Sequence, residues 1–256
     1  MERTLSVRKA VAAAILSLTL VIGFAPVAYA AAPEANSAQS ANLIAVQAKI
    51  KAAKKTTGKS AAYVIKKYKS TKKYTYAKGV FKYGKPVLKG KSAVVKKINA
   101  SLNKGYKKAK KNKKAIMNYA KTSGAMYNGA TFSSTYTTKA TYNKKGYVSF
   151  KTNYFWFAGG VTDYGTKGYV YSLKTGKKLT VGDVIEGDAS QVKRKIADKY
   201  YAKERSSSTY SRILSASLSD FEFYLKNGKV VVCFPKYSFG RIGAWSSFSI
   251  TLPGSY

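Results

Sequence analysis

Asp163, Asp183, Glu186, Asp220 and Glu222 are the carboxylates from which acid–base chemistry could be drawn. Glycoside hydrolysis needs two such groups facing each other across a cleft, about 5–10 Å apart. Their positions beside turns and at strand ends point to structural roles instead, so no catalytic residue is expected. The sequence contains no His, which removes the commonest general base and the commonest metal ligand. A single Cys, Cys233, removes internal disulfides and Cys-based zinc sites, so neither metal nor cofactor is expected. Cys233 lies in the apolar run 230–234 and reads as a buried, inert thiol.

What the chain has in excess is lysine. Its 256 residues include 47 Lys or Arg against 10 Asp or Glu, a net charge of +37, which implies polyanionic surroundings. The excess is uneven: residues 31–162 hold 29 Lys, no Arg and one acid, Glu34, whereas 163–256 hold 15 basic and 8 acidic residues. Arg offers a flat fork for bidentate phosphate recognition, while Lys is a compact, hydrated point charge on a flexible stem. Lys without Arg therefore predicts diffuse attraction rather than specific phosphate recognition, each Lys contributing at most about 1 kcal/mol at an anionic surface. Lys96, Lys97, Lys104, Lys107, Lys108, Lys110 and Lys111 are the candidate polyanion-binding residues. Nucleic acid would bind any such polycation at low salt, so no specific nucleic-acid partner is expected.

The elements that must carry these residues can be read from spacing. Ser92 caps a predicted helix in which Val94, Val95, Ile98, Leu102 and Tyr106 recur every three to four residues, with lysines on the other face. The run 107–114 continues as a solvated helix end or loop. Between Lys73 and Leu88, Tyr74, Tyr76, Phe81 and Tyr83 alternate with Lys and predict one or two short strands. Residues 130–158 predict a hairpin around Asn143-Lys144-Lys145-Gly146. A strand over 168–173 and its turn at Lys174-Thr175-Gly176 follow. Asp188 or Ser190 can cap a second helix bearing Val192, Ile196 and Tyr200. Asn227-Gly228 joins two strands, and 248–252 is a last one. Strands outnumber the two or three helices, which predicts α+β, an antiparallel sheet with helices packed on it. Tyr154, Phe155, Trp156, Phe157 and Trp245 read as core packing or as a sugar platform. Apolar content of 45% with 14% aromatics is enough to build a core.

Residues 1–30 read as a secretory signal: Arg3, Arg8 and Lys9, then an apolar run over 11–24, then Ala28-Tyr29-Ala30. Residues 31–72 read as a Lys-rich flexible leader, in which Leu43, Ile44, Val46 and Ile50 could form a short basic amphipathic helix. The folded domain is expected over 73–256. No second apolar run of about 20 residues is present, so no membrane span is expected after signal removal.

Ile98-Asn99 in a helix, a strand pair ending in Phe157-Ala158-Gly159-Gly160, the segment Val170-Tyr171-Ser172-Leu173-Lys174-Thr175-Gly176-Lys177-Lys178-Leu179-Thr180-Val181-Gly182-Asp183-Val184-Ile185, and a closing hairpin around Asn227-Gly228 together resemble one family. It is the extracellular domain shared by the lysozyme-sensing anti-sigma factor RsiV and the non-catalytic front half of the peptidoglycan deacetylase PdaC. The similarity covers about residues 73–253. It implies an α+β module at the Gram-positive cell envelope, and for partner binding it draws attention to Gly159 and Gly160. Here Val161-Thr162 follow the glycine pair, where the family usually has Ala-His.

The expected function is that of a secreted, non-catalytic binding module, held by charge on anionic wall polymers such as teichoic acid, or on peptidoglycan. The alternatives are a sensor or inhibitor that captures a lysozyme-like muramidase through an acidic patch of Asp183, Glu186 and Asp188, and a peptidoglycan hydrolase with paired carboxylates. The bland reading of that acidic patch is a solvated loop with capping duties.

Overall fold

The computed structural model of the chain describes residues 60–240 and 248–256. The expected signal, the amphipathic segment 43–50 and Trp245 lie outside the described residues. The described residues fall in one compact unit, and the α+β class is as expected: eight strands in two sheets with three helices.

Strands β1 (Tyr63–Lys73), β2 (Ala77–Leu88), β3 (Ala130–Lys144), β4 (Tyr147–Phe157) and β5 (Thr162–Ser172) form a five-stranded sheet in the order β1-β2-β3-β4-β5. β1 pairs antiparallel with β2 from Tyr63↔Leu88 to Lys73↔Lys78. The sheet therefore begins inside the segment expected to be a flexible leader. The period-2 pattern of β1 is obscured because it is an edge strand, with Lys66, Lys67, Lys69, Lys72 and Lys73 all exposed and only Val64, Ile65, Tyr68 and Ser70 half-buried. β2 runs unbroken through Gly79, Gly84 and Pro86, where shorter strands were expected.

The pair β2–β3 is parallel, from Ala77↔Ala130 to Tyr83↔Tyr136, which makes the sheet mixed. A parallel pair needs a long crossover, supplied by helix α1 (Ala93–Thr122). Ser92 caps α1 as expected, its hydroxyl accepting from Val95 N at 3.3 Å. The helix runs for 30 residues, straight through 107–114, so that run is helix interior, not a helix end or loop. Ile98, Leu102, Ala109, Ile116 and Ala120 are its buried side chains. Ile98 and Leu102 rest on Leu88, Val148, Phe150 and Tyr171 at one end, Ala109 on Phe81 and Tyr83 in the middle, and Ile116 and Ala120 on Ala77 and Phe132 at the other end. Burying each of the large ones is worth about 1.5–3 kcal/mol, which keeps a lysine-rich helix folded. Asn99 clamps α1 to the end of β2, accepting from Leu88 N and donating to Leu88 O, both at 2.9 Å.

The β3–β4 hairpin turns where expected, with Lys145 and Gly146 at φ 52° and 78°, as a two-residue turn of this hand requires. Along β4, Val148 and Phe150 face α1, while Ser149 faces the other way.

On that second face lies a smaller antiparallel sheet of β6 (Glu222–Lys226), β7 (Lys229–Phe234) and β8 (Phe248–Pro253). Ser149 Oγ accepts from Leu225 N at 2.9 Å, and Gly168 N donates to Glu222 Oε2 at 3.1 Å. Gly168 lets the two sheets approach, since a Cβ there would overlap the Phe223 carbonyl. Helices α2 (Ala189–Glu204) and α3 (Ser207–Ser215) close the second core, in which Val192, Ile196, Tyr200 and Ile213 pack with Phe223, Leu225, Val230, Val232, Phe234 and Ile250. α3 has no counterpart in the expected elements. It is short, Ser-rich and buries only Thr209 and Ile213, too few positions to show a helical period.

Candidate functional site

The lysines singled out from the sequence share one surface. Lys96, Lys97, Lys104, Lys107, Lys108, Lys110 and Lys111 are all exposed and all carried by α1. The helix holds ten Lys and no acid, over about 45 Å at 1.5 Å per residue. Among the described residues, no carboxylate lies within ion-pair distance of any α1 lysine. Helical spacing sets Lys104 against Lys107 and Lys108, Lys107 against Lys110 and Lys111, and Lys111 against Lys114. This repulsion is offset by the apolar seam beneath. The result is a stripe of unneutralised ammonium groups on a rigid rod, able to meet a flexible anionic polymer at many points without a fixed register.

The acidic residues are placed differently. Asp183 accepts from Thr180 N at 2.7 Å and from the Thr180 hydroxyl at 2.8 Å, and pairs with Lys177 at 2.8 Å. Burial alone would raise its carboxyl, but the Lys177 and Thr180 hydrogen bonds outweigh it and hold Asp183 below the usual carboxylate range. Asp188 caps α2, accepting from Gln191 N at 2.9 Å, while Gln191 Oε1 accepts from Asp188 N. Glu186 is exposed beside them, its backbone carbonyl accepting from Lys195 Nζ at 2.7 Å. Of the remaining carboxylates, Asp220 accepts from Ser217 N at 3.0 Å and Glu222 receives Gly168 N.

Gly159 and Gly160 form the β4–β5 turn, where Gly159 has φ 80° and packs against the Tyr127 ring so closely that a Cβ would collide with it. The segment 170–185 builds a turn in which Ser172 Oγ accepts from Lys174 N and Thr175 N, and it buries Val181, Val184 and Ile185. Cys233 is buried as expected, and burial pushes its thiol up to about 12.

A second feature was anticipated only in part, through Tyr154 and Trp156 of the sugar-platform or core aromatics and Asp163 of the carboxylates. Asn112, Ala115 and Tyr119 of α1, Tyr136 of β3, Tyr154 and Trp156 of β4, and Asp163 and Lys167 of β5 line a cavity of about 310 Å³. Asn112 Nδ2 donates to the Tyr136 hydroxyl at 2.7 Å, and the Tyr154 hydroxyl donates to Asp163 Oδ1 at 3.4 Å. Burial raises the Asp163 carboxyl, against the opposing pull of Tyr154, Lys167 and Lys236. Burial, together with the Asp163 charge, raises the Tyr154 phenol as well. Lys167 Nζ stands 5.1 Å over the Tyr154 ring. Of the four aromatics in a row on β4, alternation sends Tyr154 and Trp156 to this cavity, while Phe155 is 42% exposed. Among the described residues, no group of three or more His, Cys, Asp or Glu side chains could hold a metal ion, and no helix is long and apolar enough to cross a membrane.

No family model and no curated protein matches the chain. Among solved structures, it is similar to a member of the DUF3298 family from Bacteroides fragilis, at 14% identity and a TM-score of 0.52, over 76% of this chain and 92% of that one. A DUF3298 family protein from Pseudomonas aeruginosa aligns at 10% identity and a TM-score of 0.44, over 76% and 91% of the two chains. At this identity the likeness is one of fold, and the fold is that of the DUF3298 structure from Bacteroides fragilis.

Proposed function

We propose that the chain is an exported, non-catalytic module that the lysines of α1 hold on phosphate-rich polymers of the cell envelope, teichoic acid being the chemical type. The observation that carries this reading is the stripe itself, ten lysines on one acid-free helix with no carboxylate neutralising them among the described residues. The envelope setting draws support from the resemblance to the RsiV and PdaC extracellular domains and from the signal-like residues 1–30. A muramidase-capturing role has less support, because Asp183 and Asp188 are engaged in capping their own backbone. The test is retention on isolated Gram-positive walls, before and after removal of teichoic acid, across a salt series. Retention should fall steeply with salt and disappear from the stripped walls. Retention unchanged at about 1 M salt, where screening acts within about 3 Å, would refute the electrostatic mechanism.

A further inference from the structure

The cavity between α1 and strands β3–β5 plays no part in the electrostatic reading, and its lining is of another kind. Four of its eight residues are aromatic, and the other polar side chains are one amide, one carboxylate and one ammonium group. Tyr119 and Trp156 meet edge to face, with ring centroids 6.2 Å apart and planes at 81°, while Tyr136 and Tyr154 lie nearly parallel at 6.4 Å and 28°. Tyr119 is 42% exposed, so part of it is open to whatever enters.

The polar groups have capacity left over. A carboxylate has about four lone-pair sites, and among the described residues Asp163 receives the Tyr154 hydroxyl and the Tyr164 N–H. Asn112 donates to Tyr136 and keeps its carbonyl oxygen as an acceptor, while the Tyr136 hydroxyl, having accepted, keeps its own hydrogen to donate. Lys167 Nζ adds a donor beside Asp163.

Three ligand chemistries can be compared against this lining. A phosphate would be repelled by the Asp163 carboxylate in the lining. A purely apolar guest would strip water from Asp163 and Lys167 without replacing its hydrogen bonds. A pyranose ring presents C–H groups on its faces and hydroxyls around its rim, so it can lie on aromatic rings while its edge donates to a carboxylate and accepts from an ammonium group. At about 310 Å³ the cavity is at the small end of ligand sites, which suits one sugar ring rather than an extended chain. We infer that this cavity is a binding site for a single uncharged pyranose unit of a glycan, with Tyr119 and Trp156 as the stacking surfaces and Asp163, Lys167 and Asn112 as the hydrogen-bonding edge.

The experiment is calorimetric titration of the full chain with β-1,4-linked tetramers of N-acetylglucosamine and of glucose, to about 10 mM. It is run in about 0.5 M NaCl, where attraction between charges is confined to a few Å, so success or failure here is separate from that of the lysine stripe. Quenching or a spectral shift of tryptophan fluorescence gives a second readout. At least one tetramer should bind, Tyr119→Phe should bind like the wild type, and Tyr119→Ala and Asp163→Asn should each weaken binding at least about fivefold. Tyr119 is on the helix surface and Asp163→Asn conserves shape, so matched thermal melts will separate lost binding from lost folding. Binding of neither tetramer, or binding that Tyr119→Ala and Asp163→Asn leave unchanged, overturns the assignment.

Discussion

Replacing Lys104, Lys107, Lys108 and Lys111 together by Gln should move wall affinity and thermal stability in opposite directions. All four are exposed on α1, and Lys and Gln have nearly the same helix propensity, so the helix keeps its intrinsic preference. At up to about 1 kcal/mol per lysine near an anionic surface, the loss is at most about 4 kcal/mol, or roughly a thousandfold in dissociation constant. The same change deletes six like-charge contacts at spacings of three or four, 104–107, 104–108, 107–110, 107–111, 108–111 and 111–114. Each such contact costs about 0.2–0.5 kcal/mol, so the variant should gain about 1–3 kcal/mol at low salt. The assay pairs sedimentation with isolated walls, at low ionic strength and at about 1 M NaCl, with thermal melts in the same buffers. Both differences from the wild type should shrink in the high-salt arm. A variant that melts higher yet binds walls as tightly as the wild type would refute α1 as the contact surface.

Other consequences of the geometry are equally open to measurement. Asp183 has its carboxyl depressed by Lys177 and Thr180 against the effect of burial, so its contribution to stability is present above the unfolded carboxylate pKa of about 3.9 and is lost as pH falls through the lower folded value. Asp183→Asn should therefore lower the melting temperature at pH 7, with the gap to wild type closing in acid. Gly168→Ala places a methyl group against the Phe223 carbonyl and should destabilise by about 1–3 kcal/mol or more, read as a lower urea midpoint. Cys233, with its thiol pushed up to about 12 by burial, should react with a thiol reagent only as fast as the protein unfolds, so rapid labelling of native protein would show that the core around β7 is open.

How much of this was legible in the sequence depended on how local the signal was. Ser92, Asp188 and the turns at Lys145-Gly146 and Asn227-Gly228 act within a few residues, and each stands where its residue types implied. The burial of Val192, Ile196 and Tyr200 followed from one helical face. β1 was missed because an edge strand exposing five lysines carries little alternation, and its place is set by eleven backbone pairings with β2. The full reach of α1 was missed because its second half is seated by Ala109, Ile116 and Ala120, and alanines give a faint hydrophobic period. The seven lysines were found as a set because they lie close together in the chain. The aromatic cavity was not, because Asn112 and Lys167 meet only once the crossover and two strands have brought them together.

The lysines of β1 have a consequence for assembly. Two copies joining through this outer strand would set five lysines of one against five of the other across a strand spacing of about 4.8 Å, and that repulsion keeps the outer edge from acting as a template. The safeguard rests on charge and not on shape, so it lasts only while the charges stay bare. Packed onto a polyanion that neutralises them, neighbouring copies would lose the barrier, so crowding on such a polymer, more than concentration in solution, would set whether the protein stays solitary.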